Sequence, residues 1–118
     1  MKFAQILGGK GERKAASYYR KQGYTILAQN YRTRQGEIDV IAQKGNILAV
    51  IEVKTRSKSA IAAPCEFVTP AKQRKLILAA KAYLQEINND ALCVRFDVAE
   101  IFADENNRIH CIENAFTL

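Results

Sequence analysis

Glu37, Asp39, Glu52 and Lys54 interrupt two apolar runs whose other residues, Ile38, Val40, Ile41, Val50, Ile51 and Val53, have the β-branched composition of buried strands. The runs, Glu37 to Ala42 and Ile47 to Thr55, are separated by Gln43-Lys-Gly-Asn46, in which Gly45 and Asn46 tolerate the positive φ of a tight hairpin. An antiparallel pair follows. With Ala42 opposite Ile47, Asp39 falls opposite Val50 and Glu37 opposite Glu52, and the period of two puts Glu37, Asp39, Glu52 and Lys54 on one face. Asp39 and Glu52 are then diagonal neighbours ~7 Å apart, a span that one divalent cation held by both carboxylates could bridge. The ordinary reading of such a face is a solvated surface with cross-strand ion pairs. Against it, Glu37 facing Glu52 destabilises the pair unless a cation or Lys54 lies between them.

Charge is distributed unevenly. From Met1 to Leu84 there are 16 Lys or Arg against 5 Asp or Glu, and the remainder has 2 against 7. Four of those 5 acids, Glu12, Glu37, Asp39 and Glu52, are site candidates, so a small acidic focus sits in a basic field. A polyanionic substrate together with a carboxylate-held cation requires that combination, because basic side chains attract phosphate while the acids hold the metal. Lys and Arg that merely solubilise exposed helices are the plain alternative. At 118 residues the chain has the length of one domain with a core of its own. Cys65, Cys93 and Cys111 are an odd number without close spacing, which indicates neither a disulfide framework nor a zinc knuckle. The opening Met1-Lys-Phe-Ala-Gln-Ile-Leu is too short an apolar run for a signal peptide, and a soluble cytoplasmic protein without a membrane span is expected.

A first helix is predicted over Gly11 to Gln22, capped by Gly23, with Glu12 on the stripe of Ala15, Ala16 and Tyr19 that faces the core. Glu12 there needs a partner, unless it serves as an ordinary acid at a helix N-terminus. A strand over Tyr24 to Asn30 leads through Tyr31-Arg-Thr-Arg34 into the hairpin, and a loop from Arg56 to Val68 follows it. Thr69-Pro70 reads as N-cap and first residue of a helix reaching Asn88, whose first turns carry Lys72, Gln73, Arg74 and Lys75. A basic helix start can grip phosphate through its amides and side chains. Two last strands, Leu92 to Phe102 and Ile109 to Ile112, turn around Asp104 to Arg108, and Arg95 and Asp97 mark a polar side of the first. His110, the one histidine, reads as structural. So few histidines favour carboxylate, lysine and metal chemistry.

Glu12, Gly36-Glu-Ile-Asp39, Glu52-Val-Lys-Thr-Arg56 and Val68-Thr-Pro-Ala-Lys-Gln-Arg74, in this order and spacing, resemble the YraN-like uncharacterised bacterial family of the PD-(D/E)xK nuclease superfamily. The closing Ile112-Glu-Asn-Ala-Phe116 is similar to that family's last segment, and the resemblance covers nearly the whole chain. Archaeal Holliday-junction resolvases share the arrangement. One departure is Ile38, which stands where the motif has proline and carries no ligand role.

The resemblance implies an α/β (α+β) fold in one nuclease-like domain over residues 1–118, a restriction-endonuclease-like core with a mixed sheet of about five strands flanked by helices. It also implies hydrolysis of DNA phosphodiester bonds, directed by substrate structure or by junctions. Asp39 and Glu52 would be metal ligands, Glu12 would support the metal or its water, and Lys54 would activate water or stabilise transition-state charge. The Val53 carbonyl is a further candidate ligand, and Glu37 ranks below the rest. Hard oxygen donors select Mg²⁺ or Mn²⁺ over zinc. Arg32, Arg34, Arg56, Lys72, Gln73, Arg74 and Lys75 are the candidate nucleic-acid contacts, with DNA favoured over RNA. A homodimer is expected by analogy with resolvases that cut two symmetric strands. The alternative is a non-catalytic nucleic-acid-binding module with the same fold, which would need no divalent cation.

Overall fold

The structure, a computed structural model, describes residues 3–56, 68–89, 91–102 and 108–117, the side chains of residues 3–10 and 56 excepted. Helix α1 (Phe3–Lys21) precedes three strands, β1 (Thr25–Arg32), β2 (Glu37–Lys44) and β3 (Ile47–Arg56). Helix α2 (Pro70–Ile87) and strands β4 (Cys93–Phe102) and β5 (Ile109–Phe116) complete the order. The strands form one five-stranded sheet in chain order, antiparallel throughout except for β3 and β4, which are parallel. Two helices flank a mixed sheet, an α+β fold consistent with the restriction-endonuclease-like core that the resemblance implied.

The parallel pair makes α2 the crossover between β3 and β4, so the helix starts near the C-terminal end of β3. Thr69 caps it as predicted, its hydroxyl accepting a hydrogen bond from the Lys72 N–H at 3.2 Å. Asn88 ends it in a left-handed conformation, φ 53°. On one face of the sheet α2 packs Leu76, Ala79, Ala80 and Tyr83 onto Ile38, Ile41, Leu48, Val50, Phe96 and Val98. On the other, Ala15 and Tyr19 of α1 meet Val40, Ala42, Ala49, Ile51, Ala99 and Ile101. Both sides of β3 are therefore core, as the β-branched apolar residues around its charges predicted.

Several boundaries differ from expectation, β1 running on to Arg32 among them. Helix α1 begins at Phe3, eight residues before Gly11. Gly11, now well inside the helix, permits close packing: a Cβ there would stand 3.3 Å from Thr55 Oγ1 and 3.6 Å from Val53 Cγ1. The hairpin is also tighter than predicted. Gly45 takes φ +60° and Lys44 pairs with Ile47, leaving a turn of two residues, Gly45 and Asn46. Strand β5 runs on to Phe116 past a register shift against β4, with Asn114 at φ 56°. The expected loop over Arg56 to Val68 and the turn over Asp104 to Arg108 fall almost wholly outside the described residues.

Arg95 and Asp97, expected on a polar strand side, are drawn inward. Asp97 is 1% exposed and accepts from Tyr19 Oη at 2.7 Å, from Arg95 Nε and Nη2 at 2.9 and 2.8 Å, and from the Asn114 N–H at 3.0 Å. Arg95 Nη2 also donates to Tyr24 Oη at 2.8 Å. This network ties α1, β4 and β5 together, and both carboxylate oxygens receive a charge-assisted bond.

Candidate functional site

Strand β2 pairs with β3 from Lys44 and Ile47 to Val40 and Ile51. The next residues past that last pair are Asp39 on β2 and Glu52 on β3. This corrects the expected register by two residues. The assumed four-residue loop is a two-residue turn, so each paired β2 residue meets β3 two positions farther along than expected. Regular alternation also fails there, since Ile38 and Ile41, three residues apart, both join the core beneath α2. At the end of the ladder the Val53 N–H donates to Asp39 Oδ2 at 2.7 Å. A carboxylate has taken the place of a strand carbonyl, and the two strands fork around it.

The fork collects acid. Asp39 is half-buried, Glu52 is 4% exposed and Glu12, one helical turn before Ala15 on α1, is 6% exposed. Burial pushes the Asp39 carboxyl up to about 7, and the neighbouring Glu52 pushes the same way; the bond from Val53 opposes them, while Glu12 and Glu37 add to the rise. Glu12 is likewise raised, first by burial and then by Glu37, with the Asn30 side chain and Arg32 pulling it back. Glu12 Oε1 is buried and has no hydrogen-bond partner among the described residues.

Cations approach from two elements. Lys54 Nζ and Lys72 Nζ each lie 3.4 Å from Glu52 Oε2, one from the same strand and one from the first turn of α2. The next turn of α2 is held close by Gly36, where a Cβ would stand 2.9 Å from the Lys75 carbonyl oxygen and 3.1 Å from Lys75 Cβ. Val68 and Leu76, both buried, anchor the helix on either side of the turn.

The structure thus brings Glu12, Asp39, Glu52 and Lys54 to one end of the β2–β3 pair, each acid within electrostatic reach of the others. Glu37 forms a 2.8 Å ion pair with Arg32, its β1 partner. Val53, expected to offer its carbonyl, supplies its N–H to Asp39. Among the basic candidates, Lys72 reaches into the site, and Gln73 Nε2 donates to the Val68 carbonyl at 2.9 Å. Arg34, Arg74 and Lys75 are exposed, and the Arg56 side chain lies outside the described residues. Sequence reasoning missed Asn30, a non-glycine residue at φ 55° whose side chain bonds Glu12. It missed Glu100 too, buried on β4 beside Lys54 in register, with His110 Nδ1 3.2 Å from its Oε1.

The donor chemistry suits a hard cation. Among the described residues no group of three or more His, Cys, Asp or Glu side chains is arranged to hold a metal ion. Two adjacent carboxylates with an orphaned acidic oxygen nearby still match the sparse protein ligation of Mg²⁺, which is ordinarily held through one or two carboxylates plus substrate phosphate and water. Among those residues, no helix is long and apolar enough to cross a membrane.

A family model described as uncharacterised protein family UPF0102 matches residues 11–101, a span that contains Glu12, Asp39, Glu52, Lys54 and the whole of α2. The chain is similar to UPF0102 proteins over most of its length. One from Alkaliphilus metalliredigens is 46% identical over 116 residues, covering 96% of this chain and 99% of that protein. One from Symbiobacterium thermophilum is 44% identical over 112 residues, with coverages of 93% and 95%. One from Chlorobium limicola is 48% identical over 105 residues, with coverages of 87% and 81%.

Proposed function

The chain belongs to the uncharacterised protein family UPF0102, and for it we propose metal-dependent hydrolysis of phosphodiester bonds in DNA, as an endonuclease directed by substrate structure. The observation that carries this reading is the fork: Asp39 and Glu52 together just past the end of the β2–β3 ladder, the Asp39 carboxyl pushed up to about 7 by burial and by its acidic neighbours, and Lys54 against Glu52. Carboxylates crowded in this way favour a bound cation, which relieves the repulsion that raises them.

Asp39 and Glu52 would hold Mg²⁺ or Mn²⁺, with Glu12 supporting from α1. The chemistry that a divalent cation supplies in such a place is polarisation of the phosphodiester and a lowered pKa for a water it binds. Lys54 contributes a fixed positive charge where the attacked phosphate gains negative charge. The Val53 N–H holds Asp39 in one orientation at 2.7 Å, so the carboxylate is in place before substrate arrives. Exposed Arg34, Arg74 and Lys75 supply long-range attraction for the phosphate backbone. A C₂ dimer would present two such forks to a symmetric junction.

A second reading has its own observation. The lack of three clustered donors among the described residues, with two lysines already on Glu52, favours a nucleic-acid-binding module that does not cut. The two readings part on metal dependence. Among labelled single-stranded, duplex, flap and four-way-junction DNA, the preferred structure should be cleaved with Mg²⁺ or Mn²⁺ and none with EDTA. Asp39→Ala and Glu52→Ala should abolish cleavage and spare binding, since each removes negative charge from the site. Salt-sensitive binding without cleavage in either metal would select the binding module, and unimpaired cleavage by both variants would refute the site.

A further inference from the structure

Lys72 stands apart from the other basic residues of α2. Arg74 and Lys75 point to solvent, whereas the Lys72 ammonium lies 3.4 Å from Glu52 Oε2, the same oxygen that Lys54 contacts at 3.4 Å. Its backbone is fixed by the Thr69 cap, by buried Val68 and Leu76, and by the close seat of the helix on Gly36. Its side chain is 41% exposed and joined to that backbone by a flexible aliphatic stem, so the ammonium has room to leave Glu52 while the helix stays put.

We propose that Lys72 is an exchangeable counter-ion of the site, holding Glu52 until a divalent cation takes that carboxylate and then turning outward to a substrate phosphate. This role rests on the metal-site reading above and differs within it from plain backbone gripping. A divalent cation on Glu52 and an ammonium 3.4 Å from the same oxygen repel each other, and of the two lysines Lys72 is the more exposed. Lys54 is two residues along the same strand from Glu52 and remains on its face. Metal uptake and phosphate binding are thereby coupled through one side chain, each favouring the other.

Mn²⁺ alone, titrated calorimetrically into the protein, into Lys72→Met and into Lys81→Met, tests this without reference to turnover. Lys72→Met preserves most of the side-chain length at a partly exposed helical position, and Lys81→Met removes an equal charge from an exposed position farther along α2. Removing a competing unit charge beside a divalent ion should tighten Mn²⁺ binding about tenfold in Lys72→Met, with Lys81→Met within about twofold of the parent. A role in shaping the site would give the opposite sign, weaker binding. Asp39→Asn separates the two levels of the argument. If Mn²⁺ binding depends on Asp39 but Lys72→Met binds no more tightly than the parent, exchange is overturned and the metal site stands. If neither the parent nor Lys72→Met binds Mn²⁺ in an Asp39-dependent way, both are overturned.

Discussion

Replacing Asp39 by asparagine should stabilise the protein, and the gain should grow with pH. The amide oxygen of the substituted side chain can still accept the hydrogen bond that the Val53 N–H gives Asp39 Oδ2 at 2.7 Å, so the fork keeps its shape while its crowded charge is removed. Folding raises the Asp39 carboxyl from an ordinary 3.8 to about 7, through burial and the neighbouring Glu52. Between those values the unfolded chain has lost this proton and the folded chain still holds it. Stability therefore falls as pH rises across that window, and the loss is complete above the folded value. From pH 5 to pH 7 the full effect is ~2.7 kcal/mol at about 1.36 kcal/mol per unit. Coupling to neighbouring charge and partial exposure reduce this to about 1.5 to 2.5 kcal/mol. For a chain of this length that corresponds to a melting difference wider by roughly 6 to 10 °C at pH 8 than at pH 5. Thermal unfolding followed by circular dichroism at both pH values, in EDTA, measures it directly. Saturating Mg²⁺ at pH 8 should then raise the parent melting temperature and leave Asp39→Asn unmoved. A difference that is the same at pH 5 and pH 8, or an Asp39→Asn protein that melts below the parent at pH 8, would refute the account of the fork as electrostatically crowded.

Two further substitutions test how the site is held. Gly36→Ala places a methyl 2.9 Å from the Lys75 carbonyl oxygen, so the N-terminal half of α2 must retreat; a cost of about 1 to 3 kcal/mol is expected in chemical denaturation. Asp97→Ala leaves the Arg95 guanidinium without its bidentate partner and should destabilise by about 3 to 5 kcal/mol by the same assay. A loss below about 1 kcal/mol would show that the Asp97 network is not a principal tie between α1 and the sheet.

How much of this was legible in the sequence depended on whether the signal was local. Thr69-Pro70 and Asn88 mark the ends of α2 through their own backbone preferences, and the structure places them there. The β2–β3 hairpin was legible, but its register was not. A shift of two residues keeps every side chain on the same face, so burial pattern cannot separate the two registers, and the choice falls to whether the chain turns over four residues or two. The start of α1 was hidden by Gly8, Gly9 and Gly11, because glycine lowers helix propensity while the close approach that Gly11 allows is a property of the packed fold. Lys72 read as one of a row of basic residues; its contact with Glu52 depends on how α2 sits against Gly36, which no local pattern encodes.

Asp97 and the acids at the fork are treated differently by the fold, and the contrast between them bears on function. Asp97, 1% exposed, is met by a tyrosine hydroxyl, a bidentate arginine and a backbone N–H, as a purely structural carboxylate should be. The set at the fork is treated otherwise. Asp39 has one backbone donor against three acidic neighbours, Glu12 keeps a buried oxygen with no partner among the described residues, and the lysines on Glu52 stand at 3.4 Å, longer than a close charge-assisted bond. The same chain that satisfies Asp97 so fully could have paired Glu12 or Asp39 with an arginine, and the folded protein would have been more stable for it. Buried acids left short of donors are stabilised by positive charge brought from outside, and at a fork lined by oxygen that charge is best supplied by a divalent cation. One result would undo this reading: if Glu12→Gln and Asp39→Asn, made together, raise the melting temperature while Mn²⁺ binding and DNA cleavage persist, the crowding at the fork serves no site.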